Sequence, residues 1–217
     1  MFSPTIIRVI IILSFLFFGY NITFIILTKK RGKINEIKNN RISKNTPKDP
    51  NRIGKFGIIV LNIFIVIACL NIFFYEEFII YIPRIKFYFL DETFQIIGIT
   101  LILGGNMTLN IAYRELGIYW EYPIDGKTQK RKLVKTGIYS KIRHPIYLSF
   151  YLICFGFLFV LQDWLLLGLL IIGGIGLYIQ ALNEEKELLE IFPQEYAIYM
   201  RSTGRFFHSP KIIIPHK

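Results

Sequence analysis

The chain has 217 residues, 53% of them hydrophobic, a mean hydropathy of +0.45 and a formal net charge of +11. A soluble globular protein of this size keeps more polar surface and does not gather its apolar residues into long blocks, so that class is excluded. The basic residues flank the blocks, which explains them by membrane topology and by attraction to anionic headgroups and excludes nucleic acid as the natural partner.

Five blocks are about as long as the roughly 20 residues that cross a bilayer's hydrocarbon. Residues 6–28 carry one charge, Arg8. That block is long, and Phe18, Gly19, Tyr20 and Asn21 do not make a small-residue cleavage site, so it reads as a retained span rather than a signal peptide. Residues 56–75, 93–113, 145–162 and 164–183 carry no charge. The expected fold is therefore all-α: a polytopic membrane protein of about five transmembrane helices with a cytoplasmic helical tail. Residues 1–112 form a three-span scaffold, and 113–217 hold the loop, helical hairpin and tail in which polar residues collect.

The loops orient the spans. Residues 29–55 hold ten Lys/Arg against two acidic residues, and 113–145 hold eight against three, whereas 76–93 are net acidic. Lys and Arg accumulate on the cytoplasmic side. The amino terminus is then outside, and the two basic loops and the tail after Asn183 are inside. Gln162 and Asp163 make a very short outer turn, so the last two spans form a tight hairpin. Cys69 and Cys154 fall inside spans and read as free packing thiols, and no four-ligand metal spacing exists. Gly168, Gly173, Gly174 and Gly176 of the fifth span allow close helix packing or room for a cofactor, with packing the favoured reading.

The second inner loop runs into the fourth span through "LVKTGIYSKIRHPIYLSF". Pro145 suits the first turn of a helix, where its missing N–H costs nothing. With the positive end of the helix dipole, Arg143 and His144 would make a pocket for a carboxylate or phosphate. Tyr147 lies on the next turn. Where the fifth span leaves the membrane, Glu184 and Glu185 repel each other and would welcome a cationic partner. Together these features suit a zwitterionic ligand with an additional positive centre. Taken singly, each has a structural explanation: positive-inside arginine, aromatic-belt tyrosines, water-facing glutamates. The tail continues as a helical stripe of Leu182, Leu188, Leu189 and Phe192, broken at Pro193, followed by a short amphipathic helix at "QEYAIYM".

The order of these motifs resembles the carboxy-terminal half of the isoprenylcysteine carboxyl methyltransferase and phospholipid methyltransferase superfamily. The resemblance rests on Gly137 and Tyr139; Arg143, His144, Pro145 and Tyr147; a span pair; Glu184, Glu185 and Leu188; then Tyr196, Tyr199, Arg205 and Phe206, within about residues 116–210. It implies an integral membrane enzyme that moves a methyl group from S-adenosylmethionine to a lipophilic acceptor at the cytoplasmic leaflet. The acceptor would be an isoprenylcysteine carboxylate or a phospholipid-like lipid, with membrane lipids as surroundings and no obligate protein partner. It also implies roles: Tyr139, His144, Tyr147, Glu184, Glu185 and Tyr196 around the cofactor, Arg143 orienting it, and Arg201 or Arg205 meeting an acidic acceptor. Three positions depart from the pattern. Ser149 and Pro193 stand where glycine is usual, and Gln180 stands where relatives carry an arginine. Two other readings remain open, an NADPH-dependent membrane reductase of related architecture and a non-catalytic lipid-binding scaffold.

Overall fold

The computed structural model describes residues 52–74, 91–117 and 133–208, residue 85, and individual residues between 9 and 23. Beyond residue 51, the described residues form α-helices α1 (Arg52–Phe73), α2 (Asp91–Leu116), α3 (Pro145–Leu161), α4 (Trp164–Ile191) and α5 (Pro193–Ser202), with a 3₁₀ turn at Gly137–Ser140 before α3. Among the described residues there is no strand, only one isolated parallel bridge between Ile142 and Gly204. The all-α expectation holds. Helices α1, α2 and α4 are long and apolar enough to cross a membrane, and α3 is a shorter apolar helix of 17 residues. The first expected span lies mostly outside the described residues; those described within it are helical.

Local chemistry sets the ends of these helices. Asp91 and Glu92 occupy the first turn of α2 and Arg114 its last, each at the helix-dipole end that favours its charge. Gly117 follows with φ +53°, the left-handed residue that commonly stops a helix. Pro145 opens α3 and Gln162 closes it in the left-handed conformation. The Asp163 side chain then caps α4, accepting from Leu165 N at 2.7 Å and Leu166 N at 3.2 Å. Its second oxygen accepts from buried Asn71 Nδ2 at 2.6 Å, which ties the end of α1 to the start of α4.

The turn between α3 and α4 is as tight as the sequence implies. Each helix of that hairpin nevertheless packs chiefly on another element, α3 along α2 and α4 along α1. Glycine makes both approaches possible. A side-chain carbon on Gly57 or Gly176 would collide with the other's backbone, and one on Gly98 or Gly156 would come within 2.6 Å of the other's carbonyl oxygen. Gly173 likewise receives Leu61, so these are packing glycines, whereas Gly168 faces open space. At 28 residues, α4 is about 42 Å long, more than the roughly 30 Å of hydrocarbon, so it projects beyond the bilayer and carries Glu184 and Glu185 to the border.

Candidate active site

Backbone pairing brings the two halves of the motif together. The chain after α5 lies beside the segment leading into α3: Arg143 N donates to Gly204 O at 2.8 Å and His144 N to Arg205 O at 3.0 Å. The 3₁₀ turn is held from the other side, where Tyr199 Oη donates to Tyr139 O at 2.6 Å. Gly137 adopts φ +54°, and a side chain there would strike the Glu115 carboxylate. Loop, tail and the carboxy-terminal part of α4 thereby enclose one cluster.

Within it the two adjacent glutamates differ. Glu185 is 3% exposed and surrounded by donors. Its Oε1 accepts from Arg143 Nε at 2.9 Å and Arg205 Nε at 3.0 Å, and its Oε2 accepts from Arg205 Nη2 at 2.7 Å. His144 Nε2 lies 3.3 Å from the same Oε1. Arg143 also donates through Nη1 to the carbonyls of Met200 and Thr203, where α5 ends. Arg205 extends to Tyr178 Oη at 2.8 Å, with its guanidinium over the Tyr178 ring. The Glu185 carboxylate beside it raises the Arg205 pKa further, so this guanidinium stays charged.

Glu184 meets neutral donors instead. Its Oε1 accepts from Tyr147 Oη and, at 3.2 Å, from Gln180 Nε2, and its Oε2 is 3.7 Å from His144 Nδ1. The His144 and Tyr147 rings stack at 5.4 Å, both nearly buried. Tyr139 and Tyr196 are also buried, and neither hydroxyl has a hydrogen-bond partner among the described residues. Burial pushes both phenols well above the ordinary tyrosine range and Tyr199 up to about 12, so all three remain protonated donors.

The structure therefore gathers Tyr139, Arg143, His144, Tyr147, Glu184, Glu185, Tyr196 and Arg205 in one place. Arg201 is exposed on α5 and has no hydrogen bond or ion pair among the described residues. The expected anion pocket at the start of α3 looks different here. The backbone N–H groups of Arg143 and His144 are taken by tail carbonyls, and carboxylates face the imidazole. The cationic partner expected for the glutamates is, for Glu185, supplied by the chain's own Arg143 and Arg205. Gln180 emerges as a contact of Glu184, and Tyr178 and Phe206 as the wall beside Arg205 and His144. For Gln180 and Tyr178 the usable signal was helical spacing, since they lie four and seven residues before Glu184 and Glu185 respectively.

Fold and site define a class, a helical membrane protein whose buried carboxylate–guanidinium cluster joins the start of α3 to the carboxy-terminal part of α4. Residues 93–195, a little under half of the chain, match the phospholipid methyltransferase family. The chain is also 34% identical, over 113 residues, to the protein-S-isoprenylcysteine O-methyltransferase of Saccharomyces cerevisiae. That stretch is 50% of this chain and 46% of the yeast protein, so the chain spans about half the length of this relative.

Proposed function

We propose that the protein is an S-adenosylmethionine-dependent integral membrane methyltransferase whose acceptor is a lipophilic molecule entering from the bilayer. The family match at residues 93–195 supports the reaction class. The observation that carries the cofactor is the charge balance of the cluster. Glu185 is offset by two guanidiniums, while Glu184, largely buried, is held by the neutral donors Tyr147 and Gln180 and faces His144. A buried carboxylate without a full cationic partner favours a cationic ligand. The two unpartnered phenols of Tyr139 and Tyr196 can serve that ligand's polar atoms, so the residues present fit such a group.

The cofactor, when bound, supplies a methyl group on a sulfonium, which is already a good leaving group. The protein's part is then mostly alignment in a site without water. Glu184 would attract the cationic end, His144 and Tyr147 would form one wall, and Tyr139 and Tyr196 would donate hydrogen bonds. Glu185, Arg143 and Arg205 act as positioning residues that hold the tail against the start of α3. The positive-inside charge pattern supports a site at the cytoplasmic leaflet, and residues 113–217 would be the catalytic region.

The name of the yeast relative makes an isoprenylcysteine carboxylate the first acceptor to test. Against it stands Gln180 at the position where relatives carry arginine, with its amide already engaged by Glu184. The decisive measurement is titration of the purified protein with S-adenosylmethionine and S-adenosylhomocysteine. Glu184→Gln should weaken the charged sulfonium by about tenfold more than the neutral thioether, a difference on the order of 1.4 kcal/mol. Failure of the parent to bind either compound, or equal losses for both, would overturn the assignment.

A further inference from the structure

The outward face of α1 carries an amide in the middle of the membrane. Asn62 is the eleventh of the helix's 22 residues, roughly 15 Å from either end, so it stands near the centre of the hydrocarbon. Asn71, Gln95, Asn106 and Gln180 of the spans are buried, whereas Asn62 is exposed. Its Nδ2 donates to Ile58 O at 2.8 Å, and it has no other hydrogen bond or ion pair among the described residues. One N–H and the Oδ1 acceptor are left unmatched, at a depth where no water can match them. Exposed Thr100 differs, because its only side-chain donor already serves Ile96 O at 2.9 Å. Gly57 and Leu61 of α1 are closed over by Gly176 and Gly173 of α4. At about 100° per residue Asn62 points away from that contact, along a seam with Ile59, Val66, Cys69 and Phe73. Steps of three and four residues alternate along the seam, the 3.5-residue period of a helix packed along a second helix. Ile59, Val66 and Phe73 are 57–59% exposed, and Cys69 is partly exposed. Ser14 of the first expected span sits on the bundle side, beside Ile65, Ile102 and Asn106, and Asn62 is exposed with it in place.

We propose that this seam is the contact between two copies of the chain, paired through Asn62. Beyond its bond to Ile58, the carboxamide holds one donor and one acceptor, so it is complementary to itself. Two copies inserted in the same orientation, related by a twofold axis along the membrane normal, bring residue 62 to residue 62 at equal depth. Nδ2 of each then donates to Oδ1 of the other. A lipid chain or an apolar helix answers neither atom. Polar side chains of this kind hold helices together in lipid, where apolar faces gain little over lipid contact. One asparagine in an otherwise apolar seam also fixes register. That register sets Cys69, seven residues further along the same face, against the partner's Cys69. The pairing uses no residue of the carboxylate cluster and does not rest on the methyl-transfer reading.

The test reconstitutes the full chain in phosphatidylcholine vesicles over a series of protein-to-lipid dilutions. Energy transfer between copies tagged at the carboxy terminus reads association, and copper phenanthroline, which oxidises facing thiols to a disulfide, reads register. Cys154 is fully buried, so a covalent dimer should form through Cys69 and vanish in Cys69→Ala. Asn62→Leu should weaken association about tenfold, the size expected of two interhelical hydrogen bonds, and Asn62→Gln should lose less. Because Asn62 is exposed, both variants should melt as the parent does. A parent that stays monomeric at every dilution would mean that lipid or another segment of the same chain covers Asn62. Equal association of Asn62→Leu and the parent would mean apolar contact alone, and a dimer without the Cys69 cross-link would place the contact elsewhere. Each of these results overturns the proposal, and the parent's energy transfer and cross-link decide it even if the variants fail to fold.

Discussion

Substituting Glu185 by glutamine keeps the side chain's volume but removes the negative charge shared by Arg143 and Arg205. The Arg143 side chain is 8% exposed and the Glu185 side chain 4%, so little solvent screens the loss. Breaking one partner of a buried pair costs about 3–5 kcal/mol, because the remaining charge stays buried without its counterpart. Arg205, with its side chain 23% exposed, can turn partly to water, which places the expected cost near the lower figure. For a chain of this length about 2–4 °C of melting temperature accompanies each kcal/mol, so the midpoint should fall on the order of 10 °C. The assay is thermal unfolding of the purified protein in one detergent, with Arg143→Met and the double variant alongside. The double variant should lose clearly less than the sum of the singles, since each removes the other's unpaired charge. A Glu185→Gln midpoint within about 2 °C of the parent, or strictly additive losses, would refute the view of this carboxylate as the pin of the cluster.

Other outcomes follow from the same geometry. Gly137→Ala forces a side chain into the left-handed region and against Glu115, and should destabilise by about 1–2 kcal/mol or more in the same melt. Gly176→Ala sets a methyl against the backbone of Gly57 and should cost about 1–3 kcal/mol, with Gly168→Ala, which faces open space, as the near-neutral control. Asp163→Ala removes the cap of α4 and its bond from buried Asn71 Nδ2; about 2–3 kcal/mol is expected by chemical unfolding, and a loss below about 0.5 kcal/mol would count against that link. Tyr199→Phe removes the bond to Tyr139 O and should cost about 1 kcal/mol while weakening cofactor binding through the displaced Tyr139.

Much of this was legible in the sequence for a physical reason: a bilayer asks for long uncharged runs, and the chain supplies them at α1, α2, α3 and α4. The outer turn at Gln162 and Asp163, the role of Pro145 and the break at Pro193 follow from single-residue chemistry that needs no tertiary context. Pairing was not legible. Nothing in the periodicity of the last two spans says that α3 seats on α2 and α4 on α1, because that choice is made by glycines meeting across helices far apart in sequence. The unequal roles of Glu184 and Glu185 were hidden for a similar reason. As neighbours in the chain they look alike, and only the return of Arg205 beside Arg143 gives one of them two guanidiniums and leaves the other to Tyr147, Gln180 and His144.

The parallel pairing of Ile142 with Gly204 has a consequence for biogenesis. The helices can enter the bilayer one after another as the ribosome delivers them, but the backbone bonds that hold Arg143 and His144 to the tail cannot form until residues 204–206 have been made. A nascent or prematurely released chain ending before them would be inserted with the Arg143 and His144 backbone N–H groups and Glu185 lacking their tail partners, and under the proposed function it would be inactive. Supplying the missing tail as a separate peptide would then restore ligand affinity to an already inserted bundle, a complementation that a self-sufficient helical hairpin would not need.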